Sequence, residues 1–428
     1  PVNDQYRKKI KPLTKRLNRV GRYIYDLAYQ RYVVEKSIKI QKKIYYYLVV
    51  LNADYVHDGK VDDSNQRVYS DDIIRLIDLT HLTEEMIPVI ETDTITVKTY
   101  LDHLNASPCA LGEHCQRNDS RQCQFYPVCY AHIPKKNSLF TYLNGNHGFK
   151  EPDGTKHERF DLLNEGVLDA RDVPHAWLNR EKNRIQRTVL DTKNPHIHRP
   201  MIQAGIDTLK YPIYHLDFET FPCPLPRFKH EKPYSQSLFQ YSIHVESKPG
   251  VCDKDQDNYS YIITEHEDRR EALIEAMLDV IKEDGGTVLV YNESFEQTRL
   301  KEMAEYFPKH RARLLDIVDR LFDLMHLIKG NKKLYQSLGF DEKDVEGLNY
   351  YHEDLNGSYS IKKVLPIFSN LTYQGMEIAN GTEALVTYAK FPLMEKEAFE
   401  HAYQSLLEYC KQDTWAMVVI LDELRKII

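Results

Sequence analysis

Residues 211–221 read YPIYHLDFETF, and this stretch decides what kind of domain surrounds it. Aromatic and β-branched residues followed by a proline-rich turn, PCPLPRF (222–228), predict a strand. Asp217 and Glu219 stand at i and i+2, so on a strand their carboxylates leave the same face. Ile213, Leu216 and Phe218 around them are apolar, which makes bulk water a poor explanation for the two acids. Like charges on such a strand repel each other and lose hydration unless a cation holds them. Edge strands often carry acid pairs in solvent, so the pair alone decides nothing.

Two further stretches supply partners. YNESFEQTRL (291–300) puts Asn292 and Glu296 at the end of a strand and the start of a helix. EYCKQDTWAM (408–417) puts Tyr409 and Asp413 one helical turn apart, facing the same way. Four acids from a first strand, a middle helix start and a final helix meet the requirement of a two-cation phosphodiester site. In such sites the cations stand about 3.5–4 Å apart and clamp the attacking and leaving oxygens. Hard divalent cations such as Mg²⁺ or Mn²⁺ prefer carboxylate oxygens.

Outward from the DFE stretch, SLFQYSIHVES (237–247) alternates as a half-buried strand does, and GTVLVYN (286–292) is a short buried strand. Helices are expected over 268–283, from Glu293 to about Tyr306, and over 395–427. This order of elements describes an α/β or α+β domain with a mixed sheet over 206–428, and α/β is the class expected. Upstream, 136–205 is rich in Gly, Asn, Pro and His, with one helix around 179–190, and is read as a bridging region. A smaller α+β region fills 1–135. It comprises a helix over 20–37, a buried strand in IYYYLVVLNADYV (44–56), helical patterning from Asp71 stopped by Pro88, and a helix over 92–104.

Composition removes whole classes. The 428 residues carry 57 Lys+Arg against 64 Asp+Glu, a net charge of −7, so the chain as a whole is no polycation. With 42% hydrophobic residues it has enough for real cores. The longest apolar run, Ile44 to Leu51, is far short of the roughly 18 residues that span a bilayer, so no membrane partner is expected. No phosphate-binding glycine motif is present. No secretory leader is visible, and seven cysteines make a disulfide scaffold a poor reading, so a reducing cytoplasm is expected. The chain begins at Pro1 rather than Met, consistent with a piece of a longer protein. Residues 1–50 hold 13 Lys/Arg and three Asp/Glu, with tyrosines at 6, 23, 25, 29 and 32 interleaved. Such a segment suits phosphate contact plus base stacking, although an amphipathic helix with its tyrosines on a core explains the spacing slightly better.

DFE (217–219), N-x-x-F-E (292–296) and Y-x-x-x-D (409–413), in that order, resemble the three motifs of DEDD-type 3′–5′ exonucleases of the Tyr-containing subclass, which share the ribonuclease-H-like fold. The resemblance implies that Asp217, Glu219, Glu296 and Asp413 hold two cations and that Tyr409 orients the attacking water. The family's second motif usually carries Asp where this chain has Glu296; Asp323, in LFDLM, is the runner-up fourth acid. LDFETFPCPLPRF, PYSQSLFQYSIH and SYSIKKVLP (358–366) further resemble an uncharacterised bacterial family, frequent in mollicutes. That family joins a RecB-like nuclease region, a cysteine cluster and an exonuclease-like domain. DLAYQRYVVE (26–35) is similar to a helix of RecB-type nucleases, but the acids those enzymes carry upstream are missing: Asp4 is the sole acid before Asp26. The region is therefore expected to be a nucleic-acid-contacting remnant that a protein partner could complete.

Cys109-x5-Cys115-x7-Cys123-x5-Cys129 places four thiols within 21 residues, enough to close on one tetrahedral metal or a cluster. The spacing departs from the CxxC knuckle of zinc sites. Resemblance to RecB-like nucleases implies a [4Fe–4S] cluster there, with Zn²⁺ as the alternative. Cys223, Cys252 and Cys410 are isolated and read as structural, and His215 as a packed core residue. The functional expectation is a metal-dependent 3′–5′ exonuclease acting on single-stranded DNA or RNA. The competing expectation is a non-catalytic nucleic-acid-binding or scaffolding protein that keeps the fold.

Overall fold

The computed structural model describes residues 4–38, 42–103, 110–115 and 122–428. The chain divides into two compact units, Pro1–Cys129 with Leu225–Pro233, and Tyr130–Pro224 with Tyr234–Ile428.

In the first unit, helices α1 (Asp4–Leu13), α2 (Gly21–Ser37) and α3 (Thr80–Asp102) enclose a small core of Ile24, Ala28, Leu82, Met86 and Ile90. Buried Arg31 ties α2 to the start of α3, donating to the Thr80 carbonyl at 2.5 Å and to Glu35 at 2.8 Å. Strand β1 (Tyr47–Leu51) pairs antiparallel with β2 (Ile74–Asp78), with Tyr47 opposite Asp78. Two expectations change here. The stretch 44–56 does yield a strand, but with Tyr47 and Val49 exposed and Leu48, Val50 and Leu51 half-buried, and β2 is its sole strand partner among the described residues. Residues 71–78 form a short 3₁₀ turn and β2 rather than a helix, and Pro88 lies inside α3 instead of ending a helix. The apolar residues Ile73, Ile74, Leu76 and Ile77 fit both periods over so short a span, and pairing with β1 selects the strand. Of the tyrosines on α2, Tyr25 and Tyr32 pack against the small core while Tyr23 and Tyr29 are exposed.

The second unit is built on a five-stranded sheet. Its strands are β3 (Ile213–Pro222), β4 (Gln236–Glu246), β5 (Asn258–Ile262), β6 (Val288–Val290) and β7 (Leu321–Asp323), in the order β7-β6-β3-β4-β5. β4 runs antiparallel to β3 and β5, whereas β6 is parallel to β3 and β7 parallel to β6. The architecture is α/β, as the alternation of elements requires.

Alternation along β3 assigns its two faces. Tyr214, Leu216 and Phe218 enter a core with Leu273, Ile274 and Met277 of α4 (Arg270–Val280) and Leu300 and Met303 of α5 (Glu293–Tyr306). The opposite face, carrying Ile213, His215, Asp217 and Glu219, turns toward the long helix α8 (Lys396–Ile427). Between these elements lie α6 (Ile361–Phe368), which packs on α8, and α7 (Gly381–Ala389), which packs on β3. Residues 136–205, expected to bridge, are part of this unit. Fully buried Gln186 there donates to the Thr141 carbonyl at 3.0 Å and to the Tyr351 hydroxyl at 3.1 Å.

Candidate active site

β3 and α8 bring Asp217, Glu219 and Asp413 together, with one carboxylate oxygen from each lying within 4.8 Å of the others. The register opposes Asp217 to Ser242 and Glu219 to Gln240, and a bulge follows immediately after Glu219, where the strand bends. On α8 the buried stripe runs through Ala402, Leu406, Tyr409, Asp413, Met417 and Ile420, so Tyr409 and Asp413 occupy positions that the helical period reserves for the core. The three acids, Tyr409, Tyr291, Ile361, Lys362 and Met417 line a cleft of about 180 Å³.

Burial is costly for these carboxylates as anions. Desolvation first, then the charges of Asp413, Glu219 and Glu296, push Asp217 well above the usual carboxylate range. Burial and the Asp413 charge raise Glu219 to about 8. Asp413 rises to about 6 by burial, held back by the hydroxyl of Tyr373, the charge of Lys362 and the hydroxyl of Tyr409. The Tyr373 hydroxyl donates to Asp413 Oδ1 at 2.6 Å. Cys410 is fully buried beside Asp217, its Sγ 3.5 Å from Oδ2, and burial raises its thiol well above its ordinary value.

Glu296 sits one turn into α5. Asn292, in the left-handed conformation at φ 81°, starts that helix, a backbone state Asn tolerates better than most residues. The carboxyl is 3% exposed, burial raises it to about 8, and Oε2 has no hydrogen-bond partner among the described residues. It stands outside the tight group of three, although its charge bears on Asp217. Asp323, the alternative fourth acid, has both oxygens engaged: Oδ1 accepts from the backbone N–H groups of Met325 and Asn292, and Oδ2 from that of Glu293. Asp323 therefore holds the start of α5, and Glu296 is the acid with a free oxygen.

Two side chains that the motif spacing did not single out belong here. Tyr373 comes from the 371–378 segment, which carries no periodic signal, and Lys362 from SYSIKKVLP, where nothing in the sequence marks one lysine over its neighbour. His215 lies on the acid face of β3, fully buried, 3.3 Å from Glu246, and burial lowers its basicity. It is a packed residue, as expected. In the first unit Cys115 is buried while Cys123 and Cys129 are exposed; Cys109 lies outside the described residues.

The donor set at the three acids is entirely hard oxygen, and the unpartnered Glu296 oxygen adds another. These residues fit Mg²⁺ or Mn²⁺.

Residues 214–360, which include Asp217, Glu219 and Glu296, match a family described as "Domain of unknown function (DUF2779)". The chain is 26% identical over 247 residues to the uncharacterized protein UU173 of Ureaplasma parvum, covering 53% of this chain and 33% of that protein. It is 27% identical over 228 residues to the uncharacterized protein MG366 of Mycoplasma genitalium, covering 50% of this chain and 32% of that one. The similarity is thus to uncharacterised mollicute-type proteins, and the chain spans about a third of the length of these curated relatives. No solved structure matches. No helix among the described residues is long and apolar enough to cross a membrane.

Proposed function

We propose that the second unit is a metal-dependent 3′–5′ exonuclease acting on single-stranded nucleic acid by two-cation phosphodiester hydrolysis. The observation that carries this reading is the convergence of half-buried Asp217 and Glu219 with buried Asp413, carboxylates whose oxygens crowd within 4.8 Å. Held as anions, such a group needs a cation to offset its repulsion. Bound divalent cations would supply charge stabilisation at the attacking and leaving oxygens. The protein's own part is to hold the carboxylates in register through β3 and α8, and to close the cleft with Tyr291, Tyr409 and Met417. Tyr409, its hydroxyl neutral and pushed further up by burial, would orient a water by hydrogen bonding rather than remove its proton.

The strand order and directions of the sheet, with β3-β4-β5 antiparallel and β6 and β7 parallel to β3, support a ribonuclease-H-like assignment. Incubation of 5′-labelled single strands with Mn²⁺ or Mg²⁺ tests the activity: stepwise shortening from the 3′ end that stops with EDTA is the expected result. Strand binding without metal-dependent shortening would instead give the non-catalytic reading, which the position of Glu296 outside the tight group favours. The cysteine segment belongs to the same reading as the seat of a [4Fe–4S] cluster or Zn²⁺. Elemental analysis of anaerobically purified protein should give about one cluster or one zinc per chain, and neither at near-stoichiometric level removes that assignment.

A further inference from the structure

Lys362 is the cationic side chain lining the acid cleft, and its surroundings are odd for a lysine whose task is to neutralise acids. Its ammonium lies 5.2 Å from the centre of the Tyr373 ring and 5.5 Å from that of Tyr409, the two tyrosines flanking Asp413. One hydrogen bond goes to the Ala379 carbonyl. Among the described residues no carboxylate comes within ion-pair distance of it, although its charge is felt at both Glu219 and Asp413. A lysine ammonium has three donors, so this one keeps donors for something else. The aromatic faces hold the cation by its charge without using those donors.

Charge matching says what that partner is. Four carboxylates, Asp217, Glu219, Glu296 and Asp413, balance two divalent cations. Lys362 is then the remaining positive charge in the cleft, and a phosphodiester carries the single negative charge that matches it. We propose that Lys362 is a catalytic residue that binds the phosphate of the 3′-terminal linkage, fixing the strand's end against the acids. This rests on the nuclease reading and deepens it: the anion recognised is the linkage itself, independent of the base.

The test uses the whole chain with Mn²⁺ and two single strands that differ at the 3′-terminal linkage. One carries a charged, slowly hydrolysed phosphorothioate there, the other a neutral methylphosphonate. Wild type should bind the charged strand about 10- to 100-fold more tightly, the range expected for one charged hydrogen-bonded contact. Lys362→Met should lose about 10-fold or more of that discrimination, the share supplied by the bound cations remaining, and Lys362→Arg should keep most of it. A lysine that only offsets the acids would leave the discrimination in Lys362→Met equal to that of wild type, and that result overturns the proposal. If wild type shortens natural strands while Lys362→Met discriminates as wild type does, the nuclease reading stands and Lys362 falls alone. If wild type neither binds nor shortens any strand, the nuclease reading fails and takes this proposal with it. Thermal unfolding of both variants alongside wild type shows that each is folded when assayed.

Discussion

Two places in the second unit bring three metal-ligating side chains within 4.8 Å of one another, and they differ in what offsets the charge. Glu271 and Glu275 sit at the surface, their side chains 42% and 52% exposed, with His310 half-buried beside them. Lys309 reaches both, at 3.1 and 3.0 Å, and its hydrogen bond holds Glu275 below its usual range. Asp413 is buried and Asp217 and Glu219 half-buried; none has an ammonium within ion-pair distance among the described residues, and all are raised. A protein supplies its own counter-ion where acids serve stability. The cluster on β3 and α8 has Lys362 in its cleft but no ammonium within ion-pair distance, and this incomplete compensation is what the proposed cation site rests on.

The largest contrast should appear in catalysis. Asp217→Asn and Asp413→Asn each remove a charged oxygen without adding bulk, and should reduce metal-dependent shortening of single strands to background. Glu271→Gln and Glu275→Gln should leave the rate unchanged. A rate lost in the surface pair and kept in the buried pair would reverse the assignment. Tyr409→Phe should fall between, slowing hydrolysis by on the order of 10²–10⁴-fold without abolishing it, because a hydroxyl that orients water supplies part of the barrier reduction.

Next in size is stability against pH. Glu219 and Glu296 are raised to about 8 and Asp413 to about 6, above their ordinary values. The folded chain therefore binds more protons than the unfolded one between about pH 4 and 8, and its stability falls as pH rises through that window. In EDTA the melting temperature should drop on the order of 5–10 °C from pH 5 to pH 8, and Mn²⁺ should recover most of the loss at pH 8. Asp217→Asn should raise the melting temperature of the metal-free protein at pH 8. A flat profile would mean the acids are not strained by one another. The surface cluster predicts the opposite sign and a small size: Glu275→Gln removes an exposed pair, with no change expected beyond scatter at pH 8.

How much of this could be read in the sequence follows from where each signal lies. The β3 and α8 residues were legible because acids appeared at apolar positions: Asp217 and Glu219 on one side of a strand with Leu216 and Phe218 on the other, and Asp413 in a stripe with Leu406 and Met417. The helix from Glu293 to Tyr306 was equally plain, and the structure reproduces its bounds. β5 and β7 escaped, the second being three residues long, too short for any period. Tyr373 and Lys362 escaped for another reason: only the tertiary approach of separate segments to α8 brings them to the acids, and neither breaks a local pattern. In the first unit, the exposure of Val49 and Leu76 could not be foreseen from residues that look like core.

The alternation along β3 also determines which changes of chain length the domain can absorb. Inserting or deleting one residue between Ile213 and Asp217 would turn both acids toward Leu273 and Met277 and carry the adjacent apolar groups into the cleft. The same change in the loop before β4, such as near Tyr234, lies past the bulge that follows Glu219 and can be absorbed there without altering the parity of the acids. Indels spread over this hairpin should therefore divide sharply into silent and inactivating, with the boundary at one peptide bond.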